Sequence, residues 1–230
     1  EVSHFIYTYG GNIIDSHQHN DDETDTFFMR IEWDISSFTV KADRIADAFE
    51  PIAGKFSMDY RIEFPARPVR MAILVSGYDH CLYDLILRNR EGETHADIVL
   101  VAGNHAKMAR VAEHFDLPFH HFPVTKETKA EVEAEQIELL REQNIDLVVL
   151  ARYMQILSPT FVQAFPNRII NIHHSFLPAF VGARPYHQAF ARGVKIIGAT
   201  SHYVTEDLDQ GPIIEQDVAR ISHKDNVPAL

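Results

Sequence analysis

Apolar residues at 2, 5, 6 and 9 fall on one helix face, so Val2 to Tyr9 is expected to be helical, with Gly10-Gly11 ending it as a C-cap pair. Asn12 to Gln18 and Asp25 to Asp34 read as strands; the second is aromatic-rich and alternates from Met29 on, and the polar run Asn20 to Glu23 is the turn between them. Lys41 to Phe49 returns to helical spacing through Ile45, Ala46, Ala48 and Phe49, and Met58 to Phe64 sets Met, Tyr, Ile and Phe on one face as a strand does. The order is therefore α-β-β-α-β. Pro65-Ala66-Arg67-Pro68 then interrupts the pattern, since closely spaced prolines favour extended chain and remove backbone donors. A domain boundary is expected there, dividing 1–66 from 67–230.

Beyond the prolines, apolar β-branched runs recur at Val69 to Ser76, Asp97 to Ala102, Asp146 to Ala151, Arg168 to Ile172 and Lys195 to Thr200, the last extending in a wider reading over Ile196 to Tyr203. Amphipathic stretches lie between them at Cys81 to Arg90, His105 to Phe115, Lys126 to Gln143 and Ser158 to Phe165, the last opened by a Ser-Pro cap. Strand and helix alternating in this way imply a doubly wound, mostly parallel α/β sheet. Such sheets bind ligands at the carboxyl ends of their strands, where the strand order reverses.

Composition narrows the picture. With 230 residues, 46% of them hydrophobic, the chain can bury a large core, and its single cysteine, Cys81, excludes an internal disulfide framework and a Cys-rich zinc site, which fits the reducing cytoplasm. A net charge of -12 argues against nucleic acid as partner. No apolar run approaches the roughly 20 residues that span a bilayer, and no signal peptide is evident. Because the chain opens on Glu1 and stops at Leu230, both ends are expected to be trimmed.

The strand from Arg168 ends in Asn171-Ile172-His173-His174-Ser175, where polar side chains replace apolar ones. Alternation along an extended chain puts Asn171 and His173 on one face, and an amide and an imidazolium there could both donate to an oxygen that gains negative charge. On this segment alone, a polar strand end that satisfies loop carbonyls is an equal reading. Leu177-Pro178 closes the segment, and Gly182-Ala183-Arg184-Pro185 is expected to form a lip before a helix starting near Tyr186. In the acidic loop Thr205-Glu206-Asp207-Leu208-Asp209-Gln210-Gly211-Pro212, Glu206 and Asp207 read as solvated, whereas Asp209 precedes a backbone-fixing turn and is the better base. Asp209, His173 and Asn171 would suffice for acyl hydrolysis without metal. The fourteen histidines include the pairs His173-His174 and His120-His121 and the neighbours His17 and His19, yet none has strong metal-ligand spacing. Cys81 reads as a small buried hydrophobe. The turn Ser76-Gly77-Tyr78-Asp79-His80 has one glycine and is a poor phosphate cradle.

The run Asn171-Ile172-His173-His174-Ser175-Phe176-Leu177-Pro178, followed by Gly198 to Val204 and Leu208-Asp209-Gln210-Gly211-Pro212, resembles the formyltetrahydrofolate deformylases within the folate-dependent formyltransferase superfamily. The likeness covers nearly the whole chain. It implies a hydrolase that converts 10-formyltetrahydrofolate to tetrahydrofolate and formate, balancing the one-carbon folate pool for purine synthesis, with Asn171, His173 and Asp209 catalytic and with no cofactor or metal. In that reading Asp209 activates water, His173 donates to the formyl oxygen and Asn171 shares the oxyanion. The pterin would lie near Arg152, Tyr153, Met154, Gln155, Ile156 and Leu157 and near Val204, Thr205, Glu206 and Leu208. The N-terminal pattern is similar to an ACT domain, βαββαβ, whose first strand is missing, which implies an amino-acid effector and a homo-oligomer. Two rival expectations are a formyltransferase with an amine acceptor, disfavoured by the Ser76 to His80 turn and the acidic charge, and a non-catalytic amino-acid sensor that binds folate.

Overall fold

The computed structural model describes residues 1–64, 67–180 and 184–229 and divides the chain into two compact units, 1–66 and 67–230. The boundary residues Pro65 and Ala66 and the lip residues Gly182 and Ala183 lie outside the described residues.

In the first unit, α1 (Val2–Thr8) leads into a hairpin of antiparallel strands β1 (Asn12–Asp21) and β2 (Thr26–Asp34). A 3₁₀ turn at Ala42–Arg44 opens α2 (Ile45–Phe56), which runs beyond the expected end at Phe49 because Ile45, Phe49 and Ala53 continue one buried stripe at i, i+4 spacing. These three pack with Phe5 and Ile6 as the core of the unit. The expected strand at Met58 to Phe64 is not formed. Its alternation is real, for Met58, Tyr60 and Ile62 all pack against that core. A strand also needs a neighbour for its backbone donors and acceptors, and among the described residues the small sheet contains only β1 and β2.

The second unit contains β3 (Val69–Val75), α3 (His80–Arg90), β4 (Ala96–Gly103), a 3₁₀ turn leading into α4 (Ala109–His114), β5 (Phe119–His121), α5 (Lys129–Glu142) and β6 (Leu147–Ala151). It continues with α6 (Pro159–Ala164), β7 (Ile169–His173), α7 (Pro185–Arg192), β8 (Ile196–Tyr203) and β9 (Ile213–Arg220). Among the described residues these strands form one sheet in the order β5-β4-β3-β6-β7-β8-β9. The pairings from β5 to β7 are parallel; β7-β8 and β8-β9 are antiparallel.

Residues of β3 alternate between two cores. Ala72 and Leu74 join Ile137, Leu140, Phe161 and Phe165 from α5, α6 and its C-cap, whereas Met71, Ile73 and Val75 join Leu82, Ile86, Val111 and Ala112 from α3 and α4. Helices thus cover both faces, as a near-continuous apolar strand requires. The chain winds outward from β3 to β5 and returns to β6, so the strand order reverses between β3 and β6. Strands β5 and β9 were not expected: β5 is three residues long, and β9 is a largely exposed edge strand where the short apolar run Pro212 to Ile214 gives way to Glu215, Asp217 and Arg220. No helix among the described residues is long and apolar enough to cross a membrane.

Candidate functional site

Strand β7 brings the site together through its antiparallel partner. Asn171 lies directly opposite His202 of β8, and His173 opposite Thr200, so all four side chains share one face of the sheet. The amide Nδ2 of Asn171 is 3.2 Å from His202 Nε2. Thr200 Oγ1 donates to the Ser175 carbonyl at 2.8 Å and accepts from the Leu177 N–H at 3.0 Å, which fixes the chain immediately after His173.

Asp209 arrives from the loop that follows β8. Its Oδ2 is 3.5 Å from His173 Nδ1 and its Oδ1 3.8 Å from His202 Nε2; the Asp209 and His173 side chains are each 7% exposed. Asp209 itself has a left-handed backbone, φ 56°. The loop closes where the Tyr203 N–H donates to the Pro212 carbonyl at 2.9 Å, and a Cβ on Gly211 would stand 1.7 Å from the Tyr203 carbonyl oxygen. Glycine is therefore required at 211. Gly211→Ala is expected to destabilise the protein by roughly 1–3 kcal/mol, as overpacking a tight site does. An unchanged thermal midpoint for that variant would show that the turn is not held this tightly.

Burial is the largest influence on His173 and lowers its pKa below the ordinary value; the Asp209 carboxylate, and more weakly the nearby Phe180 backbone, pull the other way. His173 Nε2 is buried and has no partner. His174, on the opposite face, is desolvated to a pKa of about 4 and packs edge-on against Tyr186. Other histidines of the expected clusters have ordinary neighbours: His17 lies 3.2 Å from Asp15, and His120 stacks on Phe122. Although two imidazoles flank Asp209, no group of three His, Cys, Asp or Glu side chains among the described residues is set to hold a metal ion. Burial raises the pKa of Cys81, which packs against the core on the α3 side of the sheet.

The segment after β6 is tied to the end of β3, at the point where the strand order reverses. The Ser76 N–H donates to the Arg152 carbonyl at 3.3 Å, and the Met154 N–H donates to Ser76 Oγ at 2.8 Å. Arg152 has φ 57°, carries its guanidinium 5.3 Å from the centre of the Tyr78 ring, and leaves a buried Nε unpartnered. Helix α5 braces the rest: Lys129 donates to the Ile156 carbonyl, the Glu133 carboxylate accepts from the Ser158 N–H at 3.2 Å, and Gln136 donates to the Tyr153 hydroxyl at 3.2 Å. Tyr153 and Leu157 belong to the core, whereas Met154 and Ile156 are exposed and Gln155 is half-buried. Across the site, Val204 donates to the Ile169 carbonyl, Thr205 Oγ1 to the Asp207 carbonyl, and Glu206 accepts from Gln163; Leu208 is exposed.

The structure thus brings Asn171, His173 and Asp209 together. It adds His202, which carried no role in the sequence reading although it stands in the signature. One signal was present: Thr200 and His202 are polar at i, i+2 on the buried face of a strand. A buried carboxylate against an imidazole whose far nitrogen is free, beside an amide donor, is a set suited to acyl transfer to water.

Residues 69–230 match the Formyl transferase family. Over its full length the chain is 50% identical to a formyltetrahydrofolate deformylase of Bacillus subtilis, of which it covers 77%, and 48% identical to one of Synechocystis, of which it covers 81%. A crystal structure of a formyltetrahydrofolate deformylase from Pseudomonas syringae pv. tomato superposes with a TM-score of 0.92 at 46% identity, covering 99% of this chain and 76% of that one.

Proposed function

The chain belongs to the formyltetrahydrofolate deformylase family, and from that premise we propose that Asn171, His173 and Asp209 carry out hydrolysis of 10-formyltetrahydrofolate to tetrahydrofolate and formate. The observation that supports this most directly is the buried Asp209–His173 pair, with His173 Nε2 left free on the face it shares with Asn171.

With Nδ1 of His173 3.5 Å from Asp209 Oδ2, the ring proton is assigned to Nδ1, which leaves the lone pair of the neutral ring on Nε2. That nitrogen takes a proton from water as the water oxygen attacks the formyl carbon. Asp209 stabilises the imidazolium that forms, and the Asn171 amide donates to the oxygen that becomes an oxyanion. Collapse breaks the bond from carbon to the folate nitrogen, the Nε2 proton passes to that nitrogen, and formic acid leaves to ionise in solvent. This assigns the water to His173 rather than to Asp209. The reason is that both Asp209 oxygens face imidazole nitrogens, and that burial favours the neutral form of His173 at rest.

The pH profile tests the assignment by its sign. A base must be deprotonated, so kcat/KM for formate release without an amine acceptor should rise with pH through an apparent pKa below 6.5 and be level at neutrality. That pKa belongs to the Asp209–His173 pair rather than to one residue. Were His173 instead the imidazolium donor, kcat/KM would fall as pH rose through the same value. Formate appearing only when an amine is supplied would replace the hydrolase by a transferase.

The exposed side chains of Met154, Ile156 and Leu208 are apolar surfaces suited to a flat pterin. The reading needs neither metal nor cofactor, since the site's own side chains supply every charge and proton. The first unit is read as an ACT-like regulatory module that binds an amino acid and joins copies of the chain into a homo-oligomer. The cytoplasm fits the single cysteine, and the charge of -12 disfavours nucleic acid as partner.

A further inference from the structure

His202 is 2% exposed and makes three approaches, each of which constrains its protonation. Its Nδ1 is 2.9 Å from the Tyr203 carbonyl oxygen. A carbonyl only accepts, so Nδ1 carries the proton. In the neutral ring Nε2 is then a lone pair, and it faces the Asn171 amide nitrogen at 3.2 Å. The third neighbour, Asp209 Oδ1, is 3.8 Å from Nε2, beyond hydrogen-bond range.

The two ends of an asparagine amide have nearly the same shape, and hydrogen bonding alone decides which end faces a given side. For an oxyanion the difference is decisive, because the nitrogen end donates while the oxygen end repels. The side of Asn171 that faces His202 is also the side on which Asp209 and His173 meet. A lone pair on His202 Nε2 draws the amide nitrogen to that side, engages one of its two hydrogens and leaves the other for the substrate. An imidazolium at 202 would draw the amide oxygen there instead.

We infer that His202, locked as the Nδ1–H tautomer by the Tyr203 carbonyl, is a positioning residue that turns the Asn171 amide into an oxyanion donor. The inference rests on the proposed role of Asn171. Cross-strand pairing supplies the rigidity, since the two residues stand opposite each other in the β7-β8 ladder. His202 touches no reacting atom in this scheme, and its influence passes through Asn171.

Two substitutions at 202 separate positioning from packing. In His202→Gln, the side-chain oxygen reaches the place of Nε2 and accepts from Asn171. His202→Asn reaches only the place of Nδ1 and leaves Asn171 without an acceptor. Loss of one oxyanion donor costs ~10²- to 10³-fold, and misorienting it is expected to cost roughly 10- to 100-fold in kcat with KM little changed. His202→Asn should show that loss and His202→Gln should recover most of it. In the Asn171→Ala background, adding His202→Asn should cost nothing further, because the group being positioned is gone. Equal losses for His202→Asn in both backgrounds, or a Gln variant as slow as the Asn variant, would overturn the proposal. Full activity of Asn171→Ala by itself would instead remove the oxyanion assignment on which the proposal stands. ¹⁵N NMR of histidine-labelled wild-type protein needs no substitution: a proton on Nδ1 and none on Nε2 of His202 is expected, and a proton on Nε2 would refute the lock.

Discussion

Asp209→Asn is expected to lower kcat for formate release by ~10²- to 10⁴-fold, the range that a general base and its support contribute. The replacement keeps the shape of a side chain that is 7% exposed, so the turn closed by Gly211 and Pro212 should survive and thermal unfolding should change little. What is lost is the charge. An amide oxygen can still accept from His173 Nδ1, but it stabilises the developing imidazolium much less than a carboxylate does. The two effects should appear together: a slow kcat, and an acid limb moved to lower pH because the carboxylate that raises the His173 pKa is gone. Near-native turnover with the variant folded would mean that the buried pair does not carry the proton transfer. Formate quantified in single-turnover mixtures, beside the thermal midpoint, distinguishes these cases.

Much of this site was legible because the chemistry interrupts an apolar pattern. Asn171 and His173 stand where a buried strand turns polar, and Asp209 stands before a glycine that the backbone cannot replace. His202 was not assigned because its role comes from pairing. The expectation of a mostly parallel sheet holds but does not say which strands reverse; β7 and β8 run antiparallel, and only that pairing sets residue 202 against residue 171. The same limit explains the first unit. Alternation at Met58, Tyr60 and Ile62 correctly marks a buried face, but ladder formation depends on a neighbouring strand, which a local pattern cannot report. Strand β9 shows the converse. Its ladder with β8 is extensive while its side chains are mostly exposed and mix apolar with charged residues in no regular alternation, so pairing exists without a periodic apolar mark. Tyr153 and Leu157, grouped with the exposed Met154 and Ile156 by the family resemblance, pack against the core instead, a distinction that shared membership of a motif does not make.

Asn171→Ala should lower kcat by ~10²- to 10³-fold while leaving KM nearly unchanged. The reason lies in when the hydrogen bond becomes strong. A planar formyl oxygen carries little charge and accepts weakly, whereas the tetrahedral intermediate places a full negative charge on the same atom; a donor aimed at that atom therefore favours the transition state over the bound substrate. Removal also leaves Nε2 of His202, a residue 2% exposed, without the donor it faces, so stability should fall by about 1–3 kcal/mol, the cost of an unsatisfied buried polar group. Asn171→Asp separates the two contributions. It preserves the shape of the side chain but sets a second carboxylate near Asp209, and it is expected to be at least as slow as the alanine variant because a negative group repels the oxyanion. An aspartate variant faster than the alanine variant would show that residue 171 takes part through shape or through proton transfer, and the oxyanion would then need a donor from elsewhere in the site.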